Sequence, residues 1–224
     1  ESQQFIYLTG AAGTGKTTLA RILAKSLNCE KGISSKPCGE CSSCISVDKG
    51  NFVDLIEVDA ASNTKVDEMR ELLENSQYAP TSGRFKVYII DEVHMLSNAA
   101  SNAFLKTLEE PPEHIIFILA TTEPERVLET VKSRTTHIVF KKISEEDIVK
   151  TIQEIGKKEK MILELDVLKI IATFSDGSLR DGINLFEQTY NTFGKKTTVD
   201  DLYGILGKLV RNLIFRESII RIRL

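Results

Sequence analysis

The sequence lacks a long apolar run, and it lacks an excess of charge of either sign. Its 29 Lys and Arg residues stand against 32 Asp and Glu residues, which gives a formal net charge of −3. The average charge predicts no attraction to a polyanion, so any contact with nucleic acid must come from a local basic surface. The longest apolar run near a strand core, Ile115 to Ala120, is far shorter than the roughly 20 residues that span a bilayer. We therefore expect no membrane segment.

A secretory signal is also missing from the visible N-terminus, because no charged segment followed by an apolar one begins at Glu1. We therefore expect a cytoplasmic protein. The composition, 42% hydrophobic and 27% charged in 224 residues, excludes collagen-like, disordered and coiled-coil chains. It suits one large domain or two small ones.

Short apolar runs alternate with helical patterns over residues 1–141. The runs lie at residues 5–8, 55–58, 87–90, 115–119 and 138–140. Helical patterns separate them, such as 66–77, 97–109 and a first one from near Lys16, with its apolar residues at Leu19, Ile22, Leu23 and Leu27. Strands this continuously apolar indicate a parallel sheet that is covered on both faces. The predicted fold class of this part is α/β.

The pattern becomes wholly helical after residue 142. Ser144 is a predicted N-cap, because acidic residues fill the turn that follows it. Three apolar stripes at helical spacing then follow: Ile148, Ile152 and Ile155; Val167, Ile170, Ile171 and Phe174; Leu179, Ile183, Phe186 and Tyr190. We predict a small helical domain over 142–203, in which a fourth helix starts near Thr198. Residues 204–224 are interpreted as the start of a truncated third domain.

A glycine-rich segment between the first apolar run and the first helical pattern fits a phosphate-binding loop. It consists of Gly10, Ala11, Ala12, Gly13, Thr14, Gly15, Lys16 and Thr17. Glycines at this spacing let backbone N–H groups turn toward phosphate oxygens, and the start of the following helix adds a positive field. We expect Lys16 to contact the β- and γ-phosphates of ATP, Thr17 to bind Mg²⁺, and Thr18 to adjoin the nucleotide. The alternative is a glycine turn that carries an exposed lysine.

Two acidic residues directly follow the apolar run at 87–90. Because ligands of parallel sheets bind at the carboxyl ends of the strands, Asp91 and Glu92 are predicted to lie beside the phosphate loop. We expect Asp91 to hold Mg²⁺ and Glu92 to act as the general base that an ATPase requires. A strand that simply ends in two solvated acids is the alternative. His94, which has no metal-binding spacing, is expected to be structural.

Cysteine is scarce, and all four cysteines lie in one short segment. Cys29, Cys38, Cys41 and Cys44 have the spacing C-x8-C-x2-C-x2-C, which suits tetrahedral Zn²⁺. Four thiolates leave no open position on the metal, so the predicted site is structural rather than catalytic. Disulfides and free or redox-active thiols are the competing interpretations, of which a cytoplasmic location disfavours the first.

Further motifs give the chain a resemblance to a known family. Besides the phosphate loop and the cysteines, they are Asp-Ala-Ala-Ser-Asn at 59–63, Asp-Glu-Val-His-Met-Leu at 91–96, Leu-Lys-Thr-Leu-Glu-Glu-Pro-Pro at 105–112 and Leu-Ala-Thr-Thr at 119–122. Up to about residue 203 the chain resembles the tau/gamma family of bacterial DNA polymerase III, the AAA+ motors of the sliding-clamp loader. The resemblance implies a AAA+ P-loop domain at 1–141, with a zinc module inserted at about 29–50, a helical lid domain at 142–203, and the start of an oligomerisation domain at 204–224.

The resemblance also implies roles for three residues beyond the phosphate loop and the acid pair. Thr122 matches the sensor 1 position, whose hydroxyl helps to orient the attacking water. Arg134 matches the arginine finger that completes the ATP site of a neighbouring subunit, and Arg180 matches sensor 2, which contacts the nucleotide from the lid. From the residues alone, Arg134 would be a surface or salt-bridged arginine and Arg180 a solvated one.

The function that the resemblance implies is ATP hydrolysis within the DNA polymerase III holoenzyme. ATP, Mg²⁺ and structural Zn²⁺ are the implied cofactors. The implied partners are the delta and delta prime subunits of a hetero-oligomeric ring, the sliding clamp, and primer-template DNA, on which the clamp is opened and loaded. Lys65 and Lys106 are candidate contacts to DNA phosphates. A monomeric P-loop phosphotransferase and a non-catalytic, zinc-binding scaffold are the alternative functions.

Overall fold

The computed structural model describes residues 4–62, 66–194 and 197–207. The chain divides into two compact units, Glu1–Lys141 and Lys142–Leu224. The first unit is built around a β-sheet and the second consists of helices. No helix in the described ranges is both long enough and apolar enough to cross a membrane.

The first unit contains a five-stranded sheet in which every pair of neighbouring strands is parallel. The strands are β1 (Phe5–Thr9), β2 (Leu55–Asp59), β3 (Lys86–Asp91), β4 (Ile115–Thr121) and β5 (Thr136–Val139), in the spatial order β2-β3-β4-β1-β5. Thr9 pairs with Thr121 in the register of β1 and β4, and Asp59 pairs with Asp91 in that of β2 and β3. The carboxyl ends of the strands therefore meet along one edge of the sheet.

Helices cover both faces of this sheet, as the apolar runs predict. They are α1 (Lys16–Asn28), α2 (Ser42–Asp48), α3 (Val66–Ser76), α4 (Asn98–Glu109) and α5 (Glu129–Lys132), with 3₁₀ turns at Val93–Met95 and Pro124–Arg126. The central strand β4 is buried along its whole length. Its residues Ile115, Phe117 and Leu119 pack with α3 and α4, and Ile116, Ile118 and Ala120 pack on the other face with α1. The predicted α/β class is thus confirmed.

Two expectations about buried residues of this unit are wrong. The apolar pattern of α1 predicts a buried Ile22, but this side chain is 44% exposed, because the helix buries Ala20 and Ala24 against the sheet instead. Alanine has no bulk beyond Cβ, so it lets the helix approach the strands closely. The last strand is only partly covered, with Ile138 and Val139 exposed, because β5 lies at the edge of the sheet.

The second unit packs its helices around a separate apolar core. It contains α6 (Glu145–Glu159), α7 (Leu165–Phe174), α8 (Leu179–Phe193) and a helical stretch at 199–207, one residue after the predicted start. Ser144 is the N-cap of α6, as predicted, and its hydroxyl accepts a hydrogen bond of 3.2 Å from the backbone N–H of Asp147. Phe174, which its spacing places in the core, is instead half exposed at the end of α7. The predicted third domain falls mainly on 208–224, which lie outside the described residues.

Candidate functional site

The glycines of the predicted phosphate loop adopt backbone conformations that other residues rarely reach. Gly10, Gly13 and Gly15 have φ angles of 144°, 70° and 99°, and Gly15 is the N-cap of α1. A Cβ atom on Gly10 would lie 2.4 Å from the backbone oxygen of Phe140. The loop between β1 and α1 therefore needs glycine both for its left-handed turns and for its close approach to the chain after β5.

Lys16 is buried at the centre of this loop. Its Nζ donates to the backbone oxygens of Gly10 and Ala11, each at 2.8 Å, and the hydroxyl of Thr14 donates to the same oxygen of Ala11 at 2.8 Å. The loop is thus wrapped around an ammonium group at the N-terminal end of a helix. Both features favour an anionic ligand.

The two predicted Mg²⁺ ligands are in direct contact. The Thr17 hydroxyl, in the first turn of α1, donates to Oδ2 of Asp91 at 2.8 Å. Asp91 ends β3, which is separated from β1 by β4, so the contact spans two strands along the carboxyl edge of the sheet. Hydroxyl and carboxylate oxygens are the hard ligands that Mg²⁺ prefers. The residues present therefore fit a magnesium ion.

Glu92 and Thr122 meet because each directly follows one of two neighbouring strands, β3 and β4. The Thr122 hydroxyl donates to Oε2 of Glu92 at 3.0 Å, and the backbone N–H of Thr122 donates to the same oxygen at 3.2 Å. Glu92 has a φ of 49°, a left-handed conformation that costs a non-glycine residue free energy of order 1 kcal/mol or more. This backbone turn points the chain away from β3 immediately after the acid pair.

His94 belongs to the same cluster, although the sequence alone suggests only a structural role. Its ring lies between the carboxylates of Glu92 and Glu123 and beside the hydroxyl of Thr121. The side chain is only 5% exposed. The signal for this residue is its position two places after Glu92, which becomes informative only once the strand ends are assembled.

The four cysteines converge on one point, as their spacing predicts. Their sulfur atoms all lie within 4.8 Å of one another, close to the roughly 3.8 Å that tetrahedral Zn–S bonds of about 2.3 Å impose. All four are free thiols, and Sγ of Cys38 lies 3.9 Å from Sγ of Cys44, well beyond the roughly 2 Å of a disulfide bond. The geometry and the donor set fit zinc better than disulfides.

Backbone N–H groups surround the cysteine sulfurs and alter their acidity. Hydrogen bonds from the N–H groups of Glu40 and Cys41 lower the pKa of Cys38 to about 6. Burial instead raises the pKa of Cys44 to about 12. Such N–H donors stabilise sulfur in its thiolate form, which is the form that binds a metal.

Arg134 lies on the surface just before β5. Its guanidinium is 3.5 Å from Oε1 of Glu109, at the end of α4, and donates to the backbone oxygen of Thr130 at 3.1 Å. The side chain is 42% exposed. In this structure Arg134 is thus a surface, salt-bridged arginine, as its sequence context alone indicates.

The remaining predicted residues are dispersed. Ala12 and Thr18 are exposed on the phosphate loop and α1, and Lys106 is exposed on α4. Arg180 is exposed in the first turn of α8, in the second unit. Lys65, the other candidate DNA contact, lies outside the described residues.

Comparison with known sequences identifies close relatives of this chain. Residues 2–144 match the family model described as DNA polymerase III, delta subunit. The gamma subunit of Buchnera aphidicola subsp. Baizongia pistaciae is 56% identical over 205 residues, which cover 92% of this chain and 55% of that protein. The tau subunit of Escherichia coli strain K12 is 48% identical over 201 residues, which cover 90% of this chain and 31% of that protein. The tau subunit of Bacillus subtilis is 47% identical over 199 residues, or 89% and 35% of the two chains.

Comparison with solved structures shows the same architecture in a more distant protein. The Thermotoga maritima RuvB Holliday junction branch migration motor has a TM-score of 0.63 at 19% identity, over 92% of this chain and 62% of that one. A single-residue variant of the same RuvB has a TM-score of 0.64 at 18% identity, with the same coverage of both chains. The parallel sheet, the phosphate loop and the helical unit together have the fold of a AAA+ P-loop protein. The relatives then identify the family: the chain belongs to the tau/gamma family of DNA polymerase III subunits. It spans about half of the length of the Buchnera subunit and about a third of the length of the E. coli subunit.

Proposed function

We propose that this chain is the ATP-hydrolysing motor part of a clamp-loader subunit, which uses ATP to open a sliding clamp and load it on primer-template DNA. The observation that carries the proposal is the meeting of Thr17, Asp91, Glu92 and Thr122 beside the phosphate loop. The tau and gamma names of the relatives support the setting in DNA polymerase III.

Nucleotide binding is proposed to reorganise the phosphate loop around ATP. Lys16 would exchange its contacts with the carbonyls of Gly10 and Ala11 for phosphate oxygens, while the backbone N–H groups of the loop turn toward the same anion. Thr17 and Asp91 would hold Mg²⁺, which when bound neutralises charge on the β- and γ-phosphates. The exposed Ala12 and Thr18 would adjoin the nucleotide.

Glu92 is the proposed general base. Its Oε2 accepts from both the hydroxyl and the N–H of Thr122, which leaves Oε1 to accept a proton from the attacking water. Thr122 holds the base in place and presents its hydroxyl near the path of that water. General bases of this kind contribute roughly 10²- to 10⁴-fold to a rate.

Arg134 is proposed to act on the ATP of a neighbouring subunit. An arginine presents a planar fork of N–H donors that matches the oxygens of a γ-phosphate. The contact with Glu109 is weak, since exposed ion pairs contribute at most about 1 kcal/mol, so a neighbour's phosphate can replace it. Arg180 would complete the site from the lid.

The remaining parts of the proposal concern organisation. Residues 1–141 would be the ATPase domain and 142–203 the lid, and the segment from 204 onward would begin a domain that joins the subunits into a ring. The proposed partners are the delta and delta prime subunits, the clamp and DNA. The cysteines would hold a structural Zn²⁺, because their geometry and thiolate-stabilising N–H groups suit it.

The test is a clamp-loading assay with the assembled DNA polymerase III subunits, a fluorescently labelled clamp and primed DNA. Wild-type protein is expected to load the clamp and to form ADP faster when primed DNA is present. Arg134→Ala should lose clamp loading while its own ATP affinity stays within about threefold, because the arginine serves the neighbour's site. Thr151→Val is the matched control, since its hydroxyl donates only to the helix α6 backbone. Phosphate transfer to a small acceptor, or zinc binding without ADP formation, would support the alternative functions instead.

A further inference from the structure

We propose that His94 is a positioning residue that holds the general base Glu92 in its reactive orientation. This inference rests on the proposed ATPase function. His94 touches neither the phosphate loop nor Thr17 or Asp91 in any contact that the described residues record, so it would act through Glu92 alone.

The imidazole of His94 lies between the carboxylates of Glu92 and Glu123. Its Nδ1 lies 3.3 Å from Oε2 of Glu92 and 2.8 Å from the hydroxyl of Thr121, and its Nε2 lies 3.2 Å from Oε1 of Glu123. Each of the two ring nitrogens thus has a polar partner. One nitrogen faces the base, and the other faces an acid that is 45% exposed at the surface.

The hydroxyl of Thr121 settles how the ring can be held in either protonation state. The backbone N–H of Glu123 donates to Thr121 Oγ1 at 3.0 Å, so the hydroxyl proton is left for Nδ1 when the ring is neutral. In that form Nε2–H donates to Glu123. Nδ1 has no proton to give to Glu92 in that form. In the doubly protonated form both nitrogens donate, and Nδ1 is then shared between Glu92 and Thr121, so this is the form in which the ring restrains the base.

Hydrogen bonds at both ring nitrogens add to burial in fixing the orientation of this ring. The His94 side chain is only 5% exposed and lies at the edge of a cavity of about 430 Å³, which Leu96, Ser97 and Phe104 also line. Arg126, at the same cavity, pairs with Glu123 at 3.2 Å and so anchors the acid that holds Nε2.

Glu92 needs such support because little else restrains it. Its side chain is 32% exposed, and a glutamate loses roughly 1.5–2 kcal/mol of rotamer freedom when it is fixed in one orientation. Thr122 restrains Oε2 from the end of β4, and His94 approaches the same oxygen from the 3₁₀ turn at Val93–Met95. Restraints from these two elements define a direction for Oε1, which the two hydrogen bonds from Thr122 alone would fix less tightly.

The experiment measures kcat, KM and equilibrium ATP affinity for variants of the intact subunit in its assembled complex. His94→Ala is expected to lower kcat by roughly ten- to a hundredfold, because a misplaced catalytic group costs up to about that factor. KM and ATP affinity should change less than about threefold. An unchanged kcat, or a loss of ATP affinity equal to the loss of kcat, would overturn the positioning role.

Conservative variants separate positioning from a structural role. His94→Asn puts an amide near the position of Nδ1, and is expected to recover most of kcat. His94→Gln reaches the position of Nε2 and is expected to stay near the alanine level. Equal recovery by both variants would contradict the assignment of Nδ1 to the base.

Two further variants control the measurement. His114→Ala removes a histidine at the opposite end of β4, where the ring lies 3.0 Å from the backbone oxygen of Tyr78, and is expected to keep wild-type kcat. If His94→Ala does not fold, Glu123→Gln at the surface should still lower kcat severalfold with ATP affinity retained, and an unchanged kcat would overturn the proposal.

Wild-type protein and Glu92→Gln are measured in parallel. A wild type without ATP hydrolysis, or a Glu92→Gln variant with undiminished kcat, would refute the proposed function itself. If both behave as expected and His94→Ala keeps its kcat, only the inference about His94 fails.

Discussion

Removal of metal from the cysteine module should loosen residues 29–50. This loosening should not extend beyond two buried polar residues, Asn28 and Asp54, which are called the anchors below. Asn28 ends α1 immediately before the module, and Asp54 precedes β2 just after it. Both are buried, with 3% and 0% of their surfaces exposed. Both hold the loop at 81–85 that leads into β3, so they tie the ends of the module to the sheet without using any cysteine.

The hydrogen bonds of the anchors set the size of the effect. Asn28 accepts from the N–H groups of Arg84 and Phe85 and donates to the oxygen of Phe85, at 2.9–3.0 Å, which contributes about 3 kcal/mol. The carboxylate of Asp54 accepts three N–H groups, from residues 81, 82 and 83, at 2.6–2.7 Å. Such charge-assisted bonds contribute about 1.5 kcal/mol or more each. Opening beyond Asn28 should therefore be roughly a hundredfold rarer than opening within the module.

Hydrogen–deuterium exchange with mass spectrometry, on zinc-loaded protein with and without a chelator, measures this boundary. Amides of α2 (42–48) should lose nearly all protection, because a helix of 7 residues is not stable by itself. Amides of α1 (16–28) and β2 (55–59) should keep theirs. Asn28→Ala should let the opening spread into the last turn of α1.

Two results would refute this reasoning. If chelation exposed α1 as much as α2, the module would be part of the core rather than a peripheral insert. If zinc were not retained at about one ion per chain, or if its removal left α2 protected, the cysteines would not be a structural metal site.

Three other predictions follow from single residues. Burial raises the pKa of Asp54, but hydrogen bonds from three backbone N–H groups lower it by more, so the net pKa lies below its ordinary value. The ionised Asp54 carboxylate therefore stabilises the fold fully above the ordinary pKa, and this stabilisation is lost as the pH falls through the lowered pKa. Urea unfolding of Asp54→Asn should therefore show a loss of about 2–4 kcal/mol at pH 7 and a smaller loss at pH 3. Gly10→Ala should lower the free energy of unfolding by about 2 kcal/mol or more, because the added Cβ would collide with the backbone of Phe140. Gly50→Ala is the control: Gly50 also has a positive φ, of 69°, but has open space around it, so the expected loss is about 1 kcal/mol. Equal melting temperatures of the two variants would contradict this prediction. Thr122→Val should lower kcat about tenfold, since one charge-assisted hydrogen bond to Glu92 is lost while the backbone N–H of Thr122 remains; an unchanged kcat in steady-state ADP formation would exclude that role.

The sequence predicts those parts of the site whose geometry is set within one short segment or by the shared carboxyl edge of the parallel sheet. The phosphate loop depends on glycine φ angles within one short segment, and its residue types specify them. Thr17 and Asp91 are separated by 74 positions, yet the Thr17 hydroxyl lies 2.8 Å from Oδ2 of Asp91. Their contact was nevertheless predictable, because Asp91 ends one strand, Thr17 comes after another, and the carboxyl ends of these strands share one edge of a parallel sheet.

Other contacts between polar groups distant in the sequence were not predictable. Asn28 and Asp54 look like surface residues in the sequence, and only the closure of the loop at 81–85 over them explains why they are buried. The contacts of His94 likewise depend on the fold, because Thr121 and Glu123, at the end of β4, lie beside the turn after β3. Periodicity marks apolar faces but does not say which polar side chain a loop will cover.

Exposed apolar residues mark a second limit. Ile22 fits the helical stripe of α1 by spacing, but two alanines on the adjacent face bring the helix close to the sheet and leave the isoleucine outside. Phe174 fits the stripe of α7 in the same way and lies in its last turn. Hydrophobicity and spacing identify a face only to within one helical position, and side-chain size decides the rest.

The central claim is that Glu92 drives ATP hydrolysis at this phosphate loop. The direct measurement is phosphate release in a single turnover by the assembled complex on primed DNA, for wild type and Glu92→Gln, with ATP binding recorded in the same sample. The account predicts that Glu92→Gln binds ATP within about threefold of wild type but releases phosphate at least about a hundredfold more slowly, because the amide can still accept from Thr122 but cannot take a proton. Release at the wild-type rate, or a loss of binding that accounts for the whole decrease, would contradict it.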